Sequence, residues 1–476
     1  MLLKTKIILG VVSFVVLTTA FLGLAFGIFN NQFQSAPANL SENLISQPVE
    51  AKAKDVVAIS SKNEVLLANS TSTQEPQQDQ RILPDWNKIK QGLLNTGVDF
   101  LEADLQQMNF WFYEKGQVVW GAPILKRGDV PDWGGTPLGL YQIESKRAKV
   151  YSLAAYTWMP FAMKFLGKYF IHGIPYDNNG VKVPVSGYSG GCITLDDQTI
   201  KFVFDKAEVK MPILVLDNLN DNYQYPLSKV DVPRISASKY LVADINSGTV
   251  LLEKESQTTF PIHKLSNLME ATIVIENNNL NQNILITKDM VADQNEKSVA
   301  RLGNNMSVVS LLYPLLVESS ANASQALGSL WGKISTVNLM NEKAKIIMMP
   351  QTKFVDIAGV SLENVSTPQD LFYLIRYVSQ TRPALLKISK SMWVRTFGPR
   401  PFDFSELTQQ NNFSSQANFV GGKTTKDEAG ESGMFVFNFK LSNNTTRRVA
   451  VIIAQSNDLK TDLDALYQWT KNNFFN

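Results

Sequence analysis

The segments Tyr169-Phe170-Ile171-His172-Gly173 and Ser186-Gly187-Tyr188-Ser189-Gly190-Gly191-Cys192-Ile193-Thr194-Leu195 decide how this sequence is interpreted. The first is an apolar run that ends on a histidine, which is typical of a buried strand. The second is a glycine-rich turn that leads into another apolar run, and its backbone N–H groups can point at a developing oxyanion. Because the chain has one cysteine and two histidines, any cysteine–histidine chemistry must use Cys192.

These residue types suggest a nucleophile and its base. A cysteine thiol, with an ordinary pKa of about 8.5, attacks well only after it loses its proton. A neighbouring imidazole can take that proton and later return it to a leaving amine. We therefore expect a thiolate–imidazole pair of Cys192 and His172, with the Gly173 carbonyl orienting the ring and with Ser189 and the Gly191 backbone beside the sulfur. A buried structural cysteine next to a structural histidine is the alternative that the residues alone leave open.

The pair His172-Gly173, followed by Ser189-Gly190-Gly191-Cys192-Ile193, resembles the signature of the L,D-transpeptidase catalytic domain. Thr136-Pro137-Leu138-Gly139 resembles a turn of the same family, and the resemblance covers about residues 98–217. It implies a β-rich, sandwich-like domain in which Cys192, His172, Gly173, Ser189 and Gly191 form the catalytic site. No cofactor or metal is implied.

The resemblance also implies a two-step acyl transfer on the stem peptides of peptidoglycan. Cys192 attacks the carbonyl that precedes the terminal D-Ala, and a neighbouring amine then completes a 3→3 cross-link. Water as the acceptor would make the protein a carboxypeptidase, and carbapenem-type inhibitors are expected to acylate the thiol. One position departs from the signature, because Thr194 stands where the family usually has arginine. Lys182 and Lys201 are candidates to supply the missing charge.

From Ser236 onward the pattern changes to a strand pair, helices, strands and a final helix, which is an α+β order. This part resembles the penicillin-binding, serine β-lactamase-like D-alanyl-D-alanine carboxypeptidase family, whose Ser-x-x-Lys, Ser-x-Asn and Lys-Thr-Gly motifs build a serine nucleophile. His263-Lys264-Leu265-Ser266 stands at the first motif, Ser320-Ala321-Asn322 fits the second, and Lys423-Thr424-Thr425 nearly fits the third. Ser236-Ala237-Ser238-Lys239 spells the first motif but precedes the first predicted strand.

The resemblance of this second part therefore implies a degenerate domain that serves binding or positioning. An active serine enzyme with a divergent motif, or a partner-binding module without peptidoglycan affinity, are the alternatives. For the whole chain, the alternative to an L,D-transpeptidase is a non-catalytic structural protein that binds the cell wall.

The N-terminus predicts the compartment. Lys4 and Lys6 precede an uncharged apolar run over residues 7–29, which is long enough for a helix to cross the ~30 Å hydrocarbon layer. The lysines place the N-terminus inside and the remainder outside the cytoplasm. A cleavable signal peptide is the alternative to an uncleaved transmembrane helix, and both place the bulk of the chain on the periplasmic or cell-wall side.

The sequence thus predicts a multidomain chain, with a membrane anchor at 1–29, a polar linker at 30–82, an L,D-transpeptidase catalytic domain at 83–218 and the carboxypeptidase-like domain at 234–476. Within the catalytic domain we expect a helix from Trp86 capped by Asp85, a hairpin around Glu114-Lys115-Gly116, and a helix over 198–206 capped by the pair Asp196-Asp197. The net charge of +2 and the absence of a basic stripe exclude a nucleic-acid partner.

Overall fold

A computed structural model of the protein describes residues 80–130, 132–153, 155–185, 190–217, 221, 223–394, 404–409 and 418–475. The predicted membrane anchor and the predicted linker up to residue 79 lie outside these ranges. Among the helices that the structure describes, none combines the length and the apolar character needed to cross a membrane.

The first region of the described chain is mostly β-structure. Its elements are α1 (Trp86–Thr96), β1 (Phe100–Asp104), β2 (Asn109–Glu114), β3 (Gln117–Pro123), β4 (Asp129–Val130), β5 (Gly134–Gly135), β6 (Gly139–Gln142), β7 (Ser145–Ser152), β8 (Thr157–Leu166), β9 (Tyr169–His172), β10 (Ile193–Thr194), α2 (Asp197–Lys206) and β11 (Pro212–Leu216). One sheet has the strand order β3-β2-β1-β11-β6, and a second has the order β10-β9-β8-β7. The apolar side chains of both sheets contribute to one core.

The predicted elements of this region are confirmed with one shift. Helix α1 begins at Trp86, and the Asp85 carboxylate accepts a hydrogen bond from a first-turn N–H at 2.9 Å. Strands β2 and β3 form the predicted hairpin. Helix α2 begins at Asp197, one residue before the prediction, because Asp196 alone accepts hydrogen bonds from two first-turn N–H groups.

The second region is an α+β unit. Its elements are β12 (Lys239–Asp244), β13 (Val250–Lys254), β14 (Phe260–Pro261), α3 (Asn267–Asn277), β15 (Asn283–Leu285), β16 (Asn305–Ser307), α4 (Val308–Tyr313), α5 (Ala321–Gly328), α6 (Lys333–Ile346), β17 (Val365–Ser366), α7 (Pro368–Thr381), α8 (Pro383–Ser389), β18 (Phe419–Asp427), β19 (Gly430–Lys440), β20 (Thr446–Ser456) and α9 (Leu459–Phe474). Helix α4 ends at Tyr313, and the chain continues as the π-type turn Pro314–Glu318.

The five-stranded antiparallel sheet β13-β12-β20-β19-β18 separates two cores. In β20, Val451 and Ile453 pack with helix α9, whereas Ala450 and Ile452 belong to the cluster on the opposite face. This alternation follows from the two-residue period of a strand. The cluster on that opposite face also contains residues of the first region, such as Tyr169, so the two regions share a continuous apolar core.

The end of the predicted linker is ordered. The Ile82 N–H donates to the carbonyl of Gly248 at 2.9 Å, and the Val250 N–H donates to the carbonyl of Gln80 at 2.9 Å. Ile82 is buried in the shared core. Residues 80–82 therefore extend the edge of the second region's sheet, although their polar surroundings in the sequence predicted a linker.

Candidate active site

Two neighbouring strands bring the predicted nucleophile and base to one place. Strand β10 pairs in parallel with β9, with Ile193 opposite Ile171 and Thr194 opposite His172. Both isoleucines are fully buried, which fixes the register of the short ladder. Continued by one residue, this register sets Cys192 beside Phe170, two positions before His172 on the same side of β9.

His172 is buried and is oriented by its neighbour. Its Nδ1 lies 2.7 Å from the carbonyl oxygen of Gly173, so the partner predicted for the ring is confirmed. A proton on Nδ1 leaves Nε2 as the nitrogen that can accept another. Burial lowers the pKa of His172 to about 4, so the imidazole is neutral at physiological pH.

The Cys192 sulfur lies 4.0 Å from the carbonyl oxygen of Lys168, at the beginning of the same β9 strand. Burial raises the pKa of the Cys192 thiol to about 11, and the Lys168 ammonium acts in the opposite direction. Together with the lowered pKa of His172, this direction favours a neutral thiol and a neutral imidazole in the resting protein. Because burial penalises both charged forms, the pair is not favoured at rest, and the thiolate–imidazole pair expected from the sequence stays a prediction for the reacting state.

The turn before Cys192 is shaped by contacts that admit only glycine. Gly191 has φ 121°, and a Cβ at this position would overlap the ring of Tyr169. A Cβ on Gly128 would in turn fall against the Gly191 Cα. The role of the Gly191 N–H as an oxyanion donor stays a prediction, and Ser189 lies in residues 186–189, outside the described chain.

Thr194, at the position of the family arginine, is buried in the ladder. Its N–H and carbonyl pair with the backbone of residues 125–126, at 2.9 Å in each direction. The two lysines considered as substitutes already have carboxylate partners, since Lys182 pairs with Asp197, and Lys201 pairs with Asp205 at 2.7 Å. Neither prediction of a replacement cation is therefore supported.

Sequence reasoning missed three residues of this neighbourhood. Lys168 immediately precedes the quoted strand segment and Tyr169 is its first residue, but their contacts with the thiol and with Gly191 became visible only with the fold. Arg382 of the second region lies with its guanidinium carbon 5.2 Å from the centre of the Tyr169 ring. No local pattern could have indicated Arg382, because its partners are distant in sequence.

The second candidate cleft, around the segments at the first and third motifs, contains two lysines. Lys264, in the segment at the first motif, donates from Nζ to the Ala358 carbonyl at 2.6 Å. Lys423, at the third motif, is buried and donates to the Leu316 carbonyl at 3.1 Å and to the Ser319 hydroxyl. Burial, and then the nearby Lys264 charge, lower the pKa of Lys423 to about 7.

Two serines of this cleft bond to backbone groups. Ser320 caps helix α5 by accepting from the Ala323 N–H at 3.1 Å, and Ser266 donates to the His263 carbonyl at 2.8 Å. His263 itself lies 2.7 Å from an Asp427 carboxylate oxygen, in the cleft and largely buried.

The look-alike motif at residues 236–239 is structural, as predicted. The Ser236 hydroxyl donates to the Asp462 carboxylate at 2.7 Å.

Among the described residues, no group of three or more histidine, cysteine, aspartate or glutamate side chains is arranged to hold a metal ion.

Two family models match the chain. The model of the L,D-transpeptidase catalytic domain matches residues 99–215, and the model of D-alanyl-D-alanine carboxypeptidase matches residues 227–456. Both resemblances inferred from the sequence are therefore confirmed, in the predicted order. The chain combines a β-rich region with a penicillin-binding-like carboxypeptidase fold, and both families are enzymes that act on peptidoglycan.

Curated relatives and solved structures resemble parts of the chain. It is 35% identical over 146 residues to a D-alanyl-D-alanine endopeptidase of Haemophilus influenzae, an alignment that covers 30% of this chain and 50% of the relative. It is 26% identical over 205 residues to the D-alanyl-D-alanine endopeptidase of Escherichia coli, covering 40% of this chain and 64% of the relative. The chain thus spans about half to two thirds of the length of these relatives. A solved D-alanyl-D-alanine carboxypeptidase from Mycobacterium tuberculosis is similar with 20% identity and a TM-score of 0.44, covering 52% of this chain and 96% of that one.

Proposed function

From a chain that joins an L,D-transpeptidase catalytic domain to a D-alanyl-D-alanine carboxypeptidase domain, we propose a peptidoglycan L,D-transpeptidase that forms 3→3 cross-links through a cysteine thioester. Cys192 is the nucleophile and His172 is its base in this proposal. The protein acts outside the cytoplasm, in the periplasm or at the cell wall, and residues 7–29 anchor it in the membrane.

The parallel ladder between β9 and β10 carries the proposal. It sets the single cysteine of the chain at the start of one strand and a buried histidine at the end of its neighbour, within the matched residues 99–215. The Gly173 carbonyl holds Nδ1 of His172 and thereby directs Nε2 to proton transfer. A merely structural cysteine would not need a histidine in a fixed tautomer beside it.

In the first step the Cys192 sulfur attacks the carbonyl carbon before the terminal D-Ala, while its proton passes to Nε2 of His172. Because both groups are neutral at rest, this transfer occurs with the attack and not before it. The C–N bond to D-Ala then breaks, and His172 protonates the leaving amine. A thioester on Cys192 remains.

In the second step an amine of a neighbouring stem peptide attacks the thioester carbonyl and gives a proton to His172. The C–S bond breaks, the new amide is the 3→3 cross-link, and His172 returns the proton to the Cys192 sulfur. Water in place of the amine would give a tripeptide, which is the carboxypeptidase alternative.

The second region binds or positions the wall polymer without cleaving it in this proposal. The relatives that it resembles are named endopeptidases, but the segment His263–Ser266 places His263 where their family's first motif begins. The Ser320 hydroxyl is committed to a helix cap. The region therefore keeps a fold that fits stem peptides and lacks a hydroxyl nucleophile in the motif that requires one.

The test uses the full-length protein in detergent with a stem tetrapeptide, and the products are weighed by mass spectrometry. Wild type should release D-Ala and form a dimer, and Cys192→Ala should lower dimer formation by at least about a thousandfold, because the covalent route is lost. Ser266→Ala, which removes the only hydroxyl of His263–Ser266, is the matched control and should leave the products unchanged.

Each other outcome has a distinct meaning. Unchanged dimer in Cys192→Ala refutes the nucleophile, and tripeptide without dimer identifies water as the acceptor. A wild-type protein that neither reacts nor accepts a carbapenem on Cys192 would be the non-catalytic wall-binding protein instead.

A further inference from the structure

A buried group of charges joins the two regions of the molecule. The carboxylate of Glu276 is fully buried and lies 2.9 Å from Lys343 Nζ and 3.0 Å from Arg382 Nη2, with the Tyr377 hydroxyl bonded to the same carboxylate. We call these four residues the buried charge cluster. Although burial raises the pKa of Glu276, the Lys343 and Arg382 charges bring it below its ordinary value, so the carboxylate is ionised.

The buried charge cluster belongs to the second region, yet it reaches into the first. Arg382 Nη1 donates to the Gly135 carbonyl at 3.0 Å, and its guanidinium lies over the Tyr169 ring. Lys343 Nζ lies 3.2 Å from the Tyr141 hydroxyl. A cation over an aromatic face in a desolvated site is attracted to the ring electrostatically.

The fit between the regions is close at this point. A Cβ on Gly134 would come to 2.6 Å from Arg382 Nη1, and a Cβ on Gly167 would overlap the Glu276 carbonyl oxygen. Gly134 precedes the Gly135 carbonyl that Arg382 binds, and Gly167 lies in the turn before Tyr169. Both glycines allow the charged helices of the second region to approach the backbone of the first.

The Tyr169 ring lies between Arg382 and the turn that precedes Cys192. The fully buried ring lies directly under Gly191, where a Cβ would collide with it, and the Gly135 carbonyl oxygen would lie only 3.3 Å from that Cβ. Gly191 immediately precedes Cys192. Arg382 therefore touches both groups, Tyr169 and Gly135, that close against the backbone of the Gly191–Cys192 turn.

We propose that Arg382 is a positioning residue for the thiol of Cys192, acting through Tyr169 and the Gly135 carbonyl. The carboxypeptidase-like region, whose own first motif has no serine nucleophile at its start, thereby supplies a required part of the other region's site. This inference deepens the proposed function, because it concerns the same nucleophile. It predicts that the thiol's environment depends on a side chain of the second region.

The experiment measures the alkylation of Cys192 by iodoacetamide against pH in the full-length protein, where the single cysteine makes the signal specific. Arg382→Met removes the charge and the Gly135 contact. Loosening of the turn should hydrate the thiol and move its apparent pKa from about 11 toward 8.5, so alkylation at pH 8 should become at least about tenfold faster. Cross-linking should fall in the same variant, because a mobile thiol is misplaced for attack.

Two variants separate positioning from general loss of structure. Arg382→Lys keeps a cation against Glu276 and over Tyr169, and should restore much of the wild-type profile. Arg447→Met is the matched control, since Arg447 also forms buried ion pairs in the second region, with Asp221 at 2.8 Å and Asp244 at 2.7 Å, and does not contact Tyr169 or Gly135. It should lower the unfolding temperature without changing the alkylation profile.

A folded Arg382→Met protein with the wild-type profile overturns the proposal, and so does the same shift in Arg447→Met. If Arg382→Met does not fold, Tyr169→Leu takes its place, because it removes the ring under Gly191 and leaves the buried charge cluster intact. An unchanged profile in that variant is equally contrary. Alkylation requires no peptidoglycan chemistry, so a wild-type protein without cross-linking activity would refute the proposed function and leave this test standing.

Discussion

The two candidate clefts of this molecule differ in the residues that stand at their nucleophile positions. In the first region, Cys192 and His172 occupy adjacent strands and the imidazole is oriented by Gly173. In the second, His263 stands at the position of a catalytic serine, and Lys423 is buried against a carbonyl and a serine hydroxyl. In the proposed function, the second region therefore keeps its fold without a serine nucleophile at the start of its first motif.

The comparison suggests why the second fold persists. Its sheet, helices and buried charge cluster remain intact, and the cluster contacts the first region at Gly135 and Tyr169. Burying charges costs free energy, and an apolar replacement is often at least as stable, so such a cluster is better explained by specificity of geometry than by stability. On this explanation, the second region contributes by positioning Gly135 and Tyr169 of the first.

β-Lactam labelling should separate the two clefts by the largest margin. A carbapenem should add its full mass to wild type by ring opening onto the Cys192 sulfur, and no adduct should form on Cys192→Ala. Fluorescent penicillin should label Cys192→Ala at least about a hundredfold less than an active serine carboxypeptidase measured beside it. Without a Ser-x-x-Lys motif, no serine can form the acyl ester that carries the label. A labelled serine in Cys192→Ala would mean that the second cleft is active.

The sequence predicted the elements of both clefts better than their state of charge. The apolar segment ending at His172, the Gly-Gly-Cys turn and the Asp85 and Asp196 caps are local patterns, and local patterns survive folding. The identity of the Gly173 partner also followed from its position in the chain. These features depend on residues within a few positions of one another.

The electrostatics of the site could not be predicted, because they depend on tertiary burial. The neutral thiol and imidazole arise from the strands and turns that enclose them, and Arg382 reaches Tyr169 only after two regions fold together. The ion pairs of Lys182 and Lys201, the lysines proposed to replace the family arginine, could not be predicted from the sequence either. Their carboxylate partners, Asp197 and Asp205, both lie on helix α2.

The pH dependence of Cys192 sharpens this point with the next largest effect. With a thiol pKa of about 11, the alkylation rate should rise nearly tenfold for each pH unit from 7 to 9.5 and reach no plateau there. His172→Asn should leave this slope unchanged, because the imidazole is already neutral above pH 5. Free glutathione, measured in parallel, should level off near pH 9.

A preformed ion pair would give a different record. The rate would then be nearly constant between about pH 6 and 9 and would depend on His172, since the charged imidazole would hold the thiolate. Such a plateau would overturn the assignment of a neutral resting pair. Burial lowers the pKa of Lys168 to about 8, so this lysine loses much of its charge within the same pH range, and its removal should change the rate only slightly above pH 8.

The smallest expected effect is on the free energy of unfolding, and it tests whether the buried Lys423 of the second cleft destabilises the fold. Burial lowers the pKa of Lys423 to about 7, so between about pH 7 and 10.4 the unfolded chain holds a proton that the folded chain does not. The stability of wild type should therefore rise with pH across this window. Lys423→Met removes the titration and replaces a buried cation by an apolar side chain, which should stabilise the protein at pH 7 by about 1–3 kcal/mol, with a smaller gain at pH 10. Lys353→Met, at an exposed lysine of the same region, is the control and should change stability little at either pH. Denaturant unfolding at the two pH values measures both differences. A Lys423→Met protein that is less stable than wild type at pH 7 would show that this lysine stabilises the fold.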